Sequence, residues 1–495
     1  MITVLRSTWP LLLGIMLLLV GNGMQGTLLG IRGGIEHMST DRLAVVMSAY
    51  FGGFLIGSLT ASRMIQRVGH VRVFAALGSL ISAVLILYPV VPNWIAWALL
   101  RLLIGFSFSG VYITAESWLN ASTGNENRGQ AMSLYMIVQM LGLVSAQFLI
   151  NIGDPGGFML FILPSVLVSL AFTPILLSVQ PAPAFGTLKR MSFRRLYDVS
   201  PLGCMGIFLM GSVFSALLGM TSVWGTLEGL SVREISGIVA AIYLGGLVAQ
   251  FPIGWLSDRM DRRRLVLQLL LVGVLAVTLV LSFDFGIWGT LAAAAVIGGV
   301  ANPVYALLLA HTNDLVDAED MASASAGLMF LNGLGSVGGP LIVGRLMGVV
   351  GPDGYWIYVG LLLSLLAIYT GWRMLQRDTR TLTETGGFAV ITPSASPVAV
   401  EYSFDAVQDE EEAGSEDIPA TDDAALDSGD MTLGDETPDA VDEDELIAPE
   451  DYGISDQDDG AEAGGEQAPI SASEGDDAAT SDEPGHGPSG PGTLR

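Results

Sequence analysis

The chain has 495 residues, 51% of them hydrophobic and only 14% charged, with a mean hydropathy of +0.55. A soluble domain carries about a quarter charged residues, so the composition argues for a membrane class. The formal net charge of −27 belongs to one end: residues 376–495 hold 33 acidic and three basic residues, leaving 16 acidic and 19 basic in residues 1–375.

From the N-terminus, Arg6 and the apolar residues 11–20 could pass for a signal peptide, but residues 21–26 (GNGMQG) offer no small-x-small cleavage site. The segment is expected to remain as a first span. Twelve runs long enough to cross a hydrocarbon core follow in order: 9–30, 43–62, 71–91, 93–118, 129–150, 157–179, 202–227, 235–256, 265–283, 287–311, 323–346 and 355–375. Their unbroken apolarity excludes a β-barrel, whose strands alternate and are far shorter.

With the N-terminus placed inside, the inner segments collect 16 basic residues: Arg6, Arg63, Arg67, Arg72, Arg128, Lys189, Arg190, Arg194, Arg195, Arg259, Arg262, Arg263, Arg264, Arg373, Arg377 and Arg380. The outer segments collect three, Arg32, Arg42 and Arg233. That bias predicts a multi-pass plasma (inner) membrane protein with both termini cytoplasmic.

The organisation expected is an N-terminal six-helix bundle (1–179), a basic linker loop (180–201), a C-terminal six-helix bundle (202–375) and an acidic cytoplasmic tail (376–495). The halves resemble each other. Residues 46–53 (VMSAYFGG) recur as 239–246 (VAAIYLGG), Arg67 and Arg259 each stand in the next loop, and Gly142 matches Gly335. A repeat in the same orientation predicts two pseudo-symmetric bundles with a solute handled between them. The single cysteine, Cys204, excludes an intrachain disulfide or a Cys-rich metal site, and no cofactor is expected. Lys189 is the sole lysine, so no Gly-Lys-Ser/Thr phosphate loop exists, and any transport draws on a gradient or on a partner's ATPase.

Several residues carry the chemistry. Asn22 and Gln25 lie three apart on the first span, and Tyr50 and Tyr243 share a repeated position; each pair either lines a cavity or bonds neighbouring helices. Arg101 is the deepest charge by sequence and is expected to face the bundle interior. It binds an anionic group, affects proton coupling or holds the fourth span in place. Glu116, His311 and Asp314 fall near inner helix ends, where charge is tolerated, and are gate or proton candidates. Arg345 is expected to snorkel or to pair with Asp353.

Residues 254–264 (GWLSDRMDRRR) resemble the signature loop of the major facilitator superfamily, a glycine followed by Asp-Arg and a basic cluster. The first-half copy is degraded, with Ser62 and Gln66 at the usual Gly and Asp positions, while 67–72 (RVGHVR) keeps the rest. Arg101 with Gly105 and Gly110 resembles the fourth-span motif. The segments 116–120 (ESWLN), 128–129 and 311–314 (HTND) are similar to an uncharacterised branch, the YcaD-like transporters.

The resemblance implies an all-α, twelve-helix secondary transporter of a small solute, coupled to a proton or another ion, rather than an enzyme. It also implies a latch of Asp258, Arg259, Arg262, Arg263, Arg67 and Arg72. In the outward-open state Asp258 would face the start of the fifth span beside Arg128. The alternative is a transport-dead sensor or scaffold acting through the tail. A membrane enzyme fits less well, because His37 and Asp41 are separated by three residues where the acyltransferase pattern needs four.

The tail, rich in Ala, Gly, Ser, Pro, Asp and Glu, is expected to be disordered. Its sign excludes nucleic acid as a partner. The lipid bilayer is the expected environment. A protein partner for the tail would use residues 446–449 with Tyr452 and Ile454.

Overall fold

The fold comes from a computed structural model that describes residues 2–122, 128–177, 191–317, 320–376, 391, 399–400 and 403–404. They belong to one compact unit, residues 1–420; residues 421–495 lie outside the described residues. No strand occurs among the described residues.

The first half holds α1 (Ile2–Ile35), α2 (Thr40–Val68), α3 (His70–Leu87), α4 (Trp94–Ser122), α5 (Arg128–Leu149) and α6 (Met159–Leu177). A short α7 (Phe193–Val199) follows. The second half holds α8 (Pro201–Ser215), α9 (Thr221–Leu227), α10 (Val232–Ser257), α11 (Arg262–Ser282), α12 (Gly286–Asn313), α13 (Met321–Val350) and α14 (Gly354–Met374). A π-helical turn, Ala216–Met220, joins α8 to α9, so the two make one span, Pro201–Leu227. Among the described residues eleven spans are long and apolar enough to cross a membrane, and α6 adds a shorter apolar helix at the expected sixth place. Exposed Leu271, Leu275, Leu361 and Ile368 on α11 and α14 suit a lipid-facing surface, since water offers such residues no partner.

Local chemistry starts these helices. The Asn93 side chain accepts from Ile95 N (2.9 Å) before α4, and Ser231 with Glu234 forms a capping box at α10. Ser200 caps α8, with Pro201 in its first turn. The linker was read as loop throughout. Residues 178–190 lie outside the described residues, but Ser192 caps α7, whose Arg195 pairs with Asp320 at 2.6 Å and whose Phe193 ring lies 5.2 Å from Phe330. Seven residues were too few to show a period.

Helix pairing repeats between the halves. α1 packs on α5 and α6, α2 on α4, and α3 on α4 and α6; correspondingly α8 packs on α13 and α14, α10 on α12, and α11 on α12 and α14. Glycines set the closest approaches. A Cβ on Gly105 would collide with the Tyr50 carbonyl on α2, and one on Gly298 would collide with the Ile242 carbonyl on α10. Lipid tails supply no hydrophobic drive between helices, so such small-residue packing carries the association.

The bundles meet along the halves away from the arginine-rich loops. α1 packs on α9 through Gly30 against Ser222 and Gly34 against Thr226. Ser48 of α2 donates to the Val337 carbonyl of α13 (2.6 Å), and Asn151 after α5 donates to Ser236 of α10 (2.9 Å). Arg345 pairs with Asp41 (3.4 Å) rather than Asp353, because the end of α13 packs on α2.

The packed chain does not stop at residue 375. Ile391, Ala399, Val400, Ser403 and Phe404 are buried and the four apolar ones join the bundle core. The reason is local composition: residues 385–400 contain no charged side chain. The 446–454 patch lies outside the described residues.

The glycine saddles predict that Gly105→Ala and Gly298→Ala each cost about 1–3 kcal/mol by forcing backbones apart. Gly52→Ala, with open space around its Cβ, should leave the melting temperature of the purified protein unchanged. Equal melting of all three variants would refute the saddle.

Candidate functional site

Arg101, Gly105, Tyr112 and Glu116 stand at helical intervals along α4, so one stripe of that helix meets α1 and α2. Arg101 is 2% exposed. Its Nη1 donates to the Gln25 Oε1, its Nη2 lies 3.2 Å from the Met47 Sδ, and its guanidinium sits 4.8 Å from the centre of the Tyr50 ring. Its Nε is buried without a hydrogen-bond partner, and no carboxylate among the described residues pairs with it. A charge at this depth costs at least about 2.5–3.5 kcal/mol, and a carboxamide, a thioether and a π face compensate it only in part.

The network continues from Gln25. Its Nε2 donates to the Asn22 Oδ1 (3.1 Å), and the Asn22 Nδ2 donates to the Tyr112 hydroxyl (2.8 Å) and lies 3.1 Å from the Tyr50 hydroxyl. Four of the residues singled out by sequence, Asn22, Gln25, Tyr50 and Arg101, therefore meet in one cluster. Met47 and Tyr112 were missed. Tyr112 was findable as a member of the α4 stripe, whereas Met47 reads as ordinary core.

Glu116 corrects an expectation. It is 2% exposed, α4 runs on to Ser122, and its Oε1 accepts from the Tyr135 hydroxyl (2.7 Å), which accepts in turn from Gln139 Nε2 (2.9 Å). It is an embedded carboxylate rather than one near a solvated helix end. Tyr243 is buried on α10, and His311 is half-buried near the end of α12.

At the signature loop, Arg262 and Asp314 form one pair: Nη1 to Oδ2 is 2.5 Å, with side chains 3% and 8% exposed, and the Arg262 Nε donates to Ser257 (3.3 Å). This ties the ends of α10, α11 and α12 together. Asp261, not singled out before, caps α11 by accepting from Arg263 N (2.8 Å) and pairs with that guanidinium (3.2 Å). Burial pushes the Asp261 carboxyl up, but the Arg263 hydrogen bonds outweigh it and hold the group below its usual range. Arg259 folds back on Trp255, donating to its carbonyl (2.9 Å) and lying 4.1 Å from the ring centre. Asp258 is exposed at the C-cap of α10, and Arg67 and Arg72 are exposed around the loop from α2 to α3. The Arg128 side chain lies outside the described residues.

Comparison with known proteins follows the same architecture. An uncharacterised MFS-type transporter of Yersinia pestis (strain Pestoides F) is 28% identical over 356 residues, spanning 69% of this chain and 89% of that protein. The uncharacterised MFS-type transporter YcaD of Escherichia coli O45:K1 (strain S88 / ExPEC) is 28% identical over 366 residues, spanning 70% and 90%. Among solved structures, the nucleoside transporter NupG superposes with a TM-score of 0.60 at 15% identity, covering 75% of this chain and all of that one. A bacterial homolog of the human lysosomal transporter Spinster, in an inward-facing and occupied conformation, also gives 0.60 at 15% identity, covering 77% and 98%. These two likenesses concern the fold alone. The family model of the Major Facilitator Superfamily matches residues 11–237 and 203–402, and with the helix pairing above it establishes that the chain belongs to that superfamily.

Proposed function

We propose that the chain is a secondary transporter, not an enzyme, that carries a small solute bearing an anionic group by alternating access between its two bundles. The observation that carries the solute class is Arg101, a buried guanidinium with an unpartnered Nε and no carboxylate counter-ion among the described residues. An arriving carboxylate or phosphate would complete its hydrogen bonding in low dielectric, where such a pair is strong. Asn22, Gln25, Tyr50 and Tyr112 supply neutral donors and acceptors around it.

The arginine-rich end is assigned to the cytoplasm, with both termini there; the basic-residue bias supports this. The bundle contacts far from that end then favour an inward-facing state. Glu116, embedded beside Tyr135, is the carboxylate we assign to proton coupling. Asp258 is the latch residue, engaging the start of α5 once the cytoplasmic ends close.

A ligand that binds the folded state raises its apparent stability, so a thermal-shift screen on purified protein tests the solute class. Stabilising compounds should be carboxylates or phosphates, and Arg101→Gln should weaken them by about tenfold to a hundredfold, the scale of one charge-assisted pair. Hits confined to neutral or cationic solutes, or unaffected by Arg101→Gln, would sink the assignment.

The latch makes a separate prediction. Asp258→Asn should destabilise the outward-open state by about 1–3 kcal/mol, a usual scale for conformational coupling. Gln66→Asp should favour closure of the cytoplasmic ends. Fluorophore pairs on the arginine-rich ends of α5 and α10 report the populations, and an unchanged distance distribution in Asp258→Asn rules the latch out.

A further inference from the structure

We infer that the end of the second bundle opposite the arginine-rich loops holds a binding site for an organic ammonium cation that also carries an oxygen acceptor. The site is separate from the Arg101 cluster and does not depend on the reading of that cluster. A cavity of about 420 Å³ opens there, with Trp224, Glu228, Asp284, Phe285, Asp353 and Trp356 among its lining residues. That size falls within the range of small-molecule sites, about 300–1,000 Å³.

Three tight loops build the cavity: α9 to α10, α11 to α12, and α13 to α14. Each turns on a glycine with positive φ, Gly229 (73°), Gly286 (62°) and Gly351 (95°), a conformation that other residues enter only at a cost. Each loop also brings one carboxylate. Asp284 accepts from Gly286 N (3.0 Å), which fixes its own loop. Glu228 and Asp353 form no ion pair among the described residues. Arg345, the expected partner of Asp353, turns to Asp41 instead. No basic side chain lines the cavity among the described residues. Burial, and after it the Asp353 charge, lift the Glu228 carboxyl above its usual range, so the two negative charges act on each other directly.

Aromatic rings form the other wall. Trp224 and Trp356 are 5% and 3% exposed with ring centres 5.3 Å apart, and Tyr355 stacks on Trp224 at 5.4 Å. Phe283 and Phe285, with rings 5.6 Å apart, close the side formed by the α11–α12 loop. The faces of such rings attract a cation. Neither indole Nε1 has a hydrogen-bond partner, although both are buried. This second observation is independent of the carboxylates, since a buried donor calls for an acceptor. Carboxylates and ring faces thus select a positive charge, and the two indole donors select an oxygen beside it. No three Asp, Glu, His or Cys side chains among the described residues converge as a metal site, which favours a broad organic cation over a metal ion.

Benzoylcholine, a quaternary ammonium with ester oxygens, is a probe of this chemistry. Isothermal titration of the purified full-length protein should show saturable binding. The neutral isostere 3,3-dimethylbutyl benzoate, with carbon in place of the charged nitrogen, should bind at least about tenfold more weakly. The double variant Glu228→Gln with Asp353→Asn keeps both side-chain shapes, and Asp353 makes no capping bond to α14. It should therefore keep its melting temperature while binding benzoylcholine about tenfold less tightly. Absence of saturable binding, equal affinity for the neutral isostere, or unchanged affinity in the double variant overturns the inference. So does displacement of benzoylcholine by magnesium chloride at equal concentration, which would reduce the site to a diffuse negative field. If the double variant melts early, Glu228→Gln alone decides, and unchanged affinity in it is equally fatal.

Discussion

No water reaches the hydrocarbon core to satisfy a polar group, so every donor placed there must find its acceptor within the protein. Arg101 is where this constraint bears hardest. Its guanidinium draws Gln25 of α1, Met47 of α2 and the Tyr50 ring onto one side of α4. Through Gln25 the requirement passes to Asn22 and on to Tyr112. The three helices are thereby held in one register by polar contacts, while Gly105 lets α2 come close enough for those contacts to form. The site and the packing are one arrangement: replacing the arginine with an apolar residue would remove the reason for four polar side chains to lie inside.

The second bundle repeats the helix pairing without repeating this chemistry. Its deepest described ion pair, Arg262 with Asp314, sits at the arginine-rich end and closes on itself. Such a pair gains its attraction in low dielectric but gives up two hydration shells, so it serves position better than stability. Here it fixes the loop that carries Asp258 and Arg259 relative to α12. The two halves thus divide the work, with an unpaired charge in one and a fully paired charge in the other.

Much of the architecture was legible because a hydrocarbon solvent leaves few choices. Apolar runs of sufficient length must be helices, and the repeated segments around Tyr50 and Tyr243 announced the duplicated pairing. The meeting of Asn22, Gln25, Tyr50 and Arg101 was half legible: each residue is conspicuous in its span, but which spans touch is a tertiary fact. Met47 was invisible because a thioether beside a guanidinium looks like any core methionine. The enclosure of Glu116 was hidden because its bond to Tyr135 of α5 is a tertiary contact that no hydropathy window carries. The burial of Ile391, Val400 and Phe404 was hidden by averaging, since the net charge of the tail masks the neutral stretch at its start.

The π-helical turn at Ala216–Met220 has a consequence for phase. A turn with i→i+5 bonding accommodates one extra residue, which rotates everything beyond it by about 100° relative to an uninterrupted α-helix. Before the turn, Gly203 and Gly206 face Thr312 and Leu308 of α12; after it, Ser222 and Thr226 face Gly30 and Gly34 of α1. One continuous helix would have to aim both sets by the same screw, yet the first set addresses its own bundle and the second addresses the other. The extra residue sets the two aims independently, so the span works as a coupling shaft with an offset keyed into its middle.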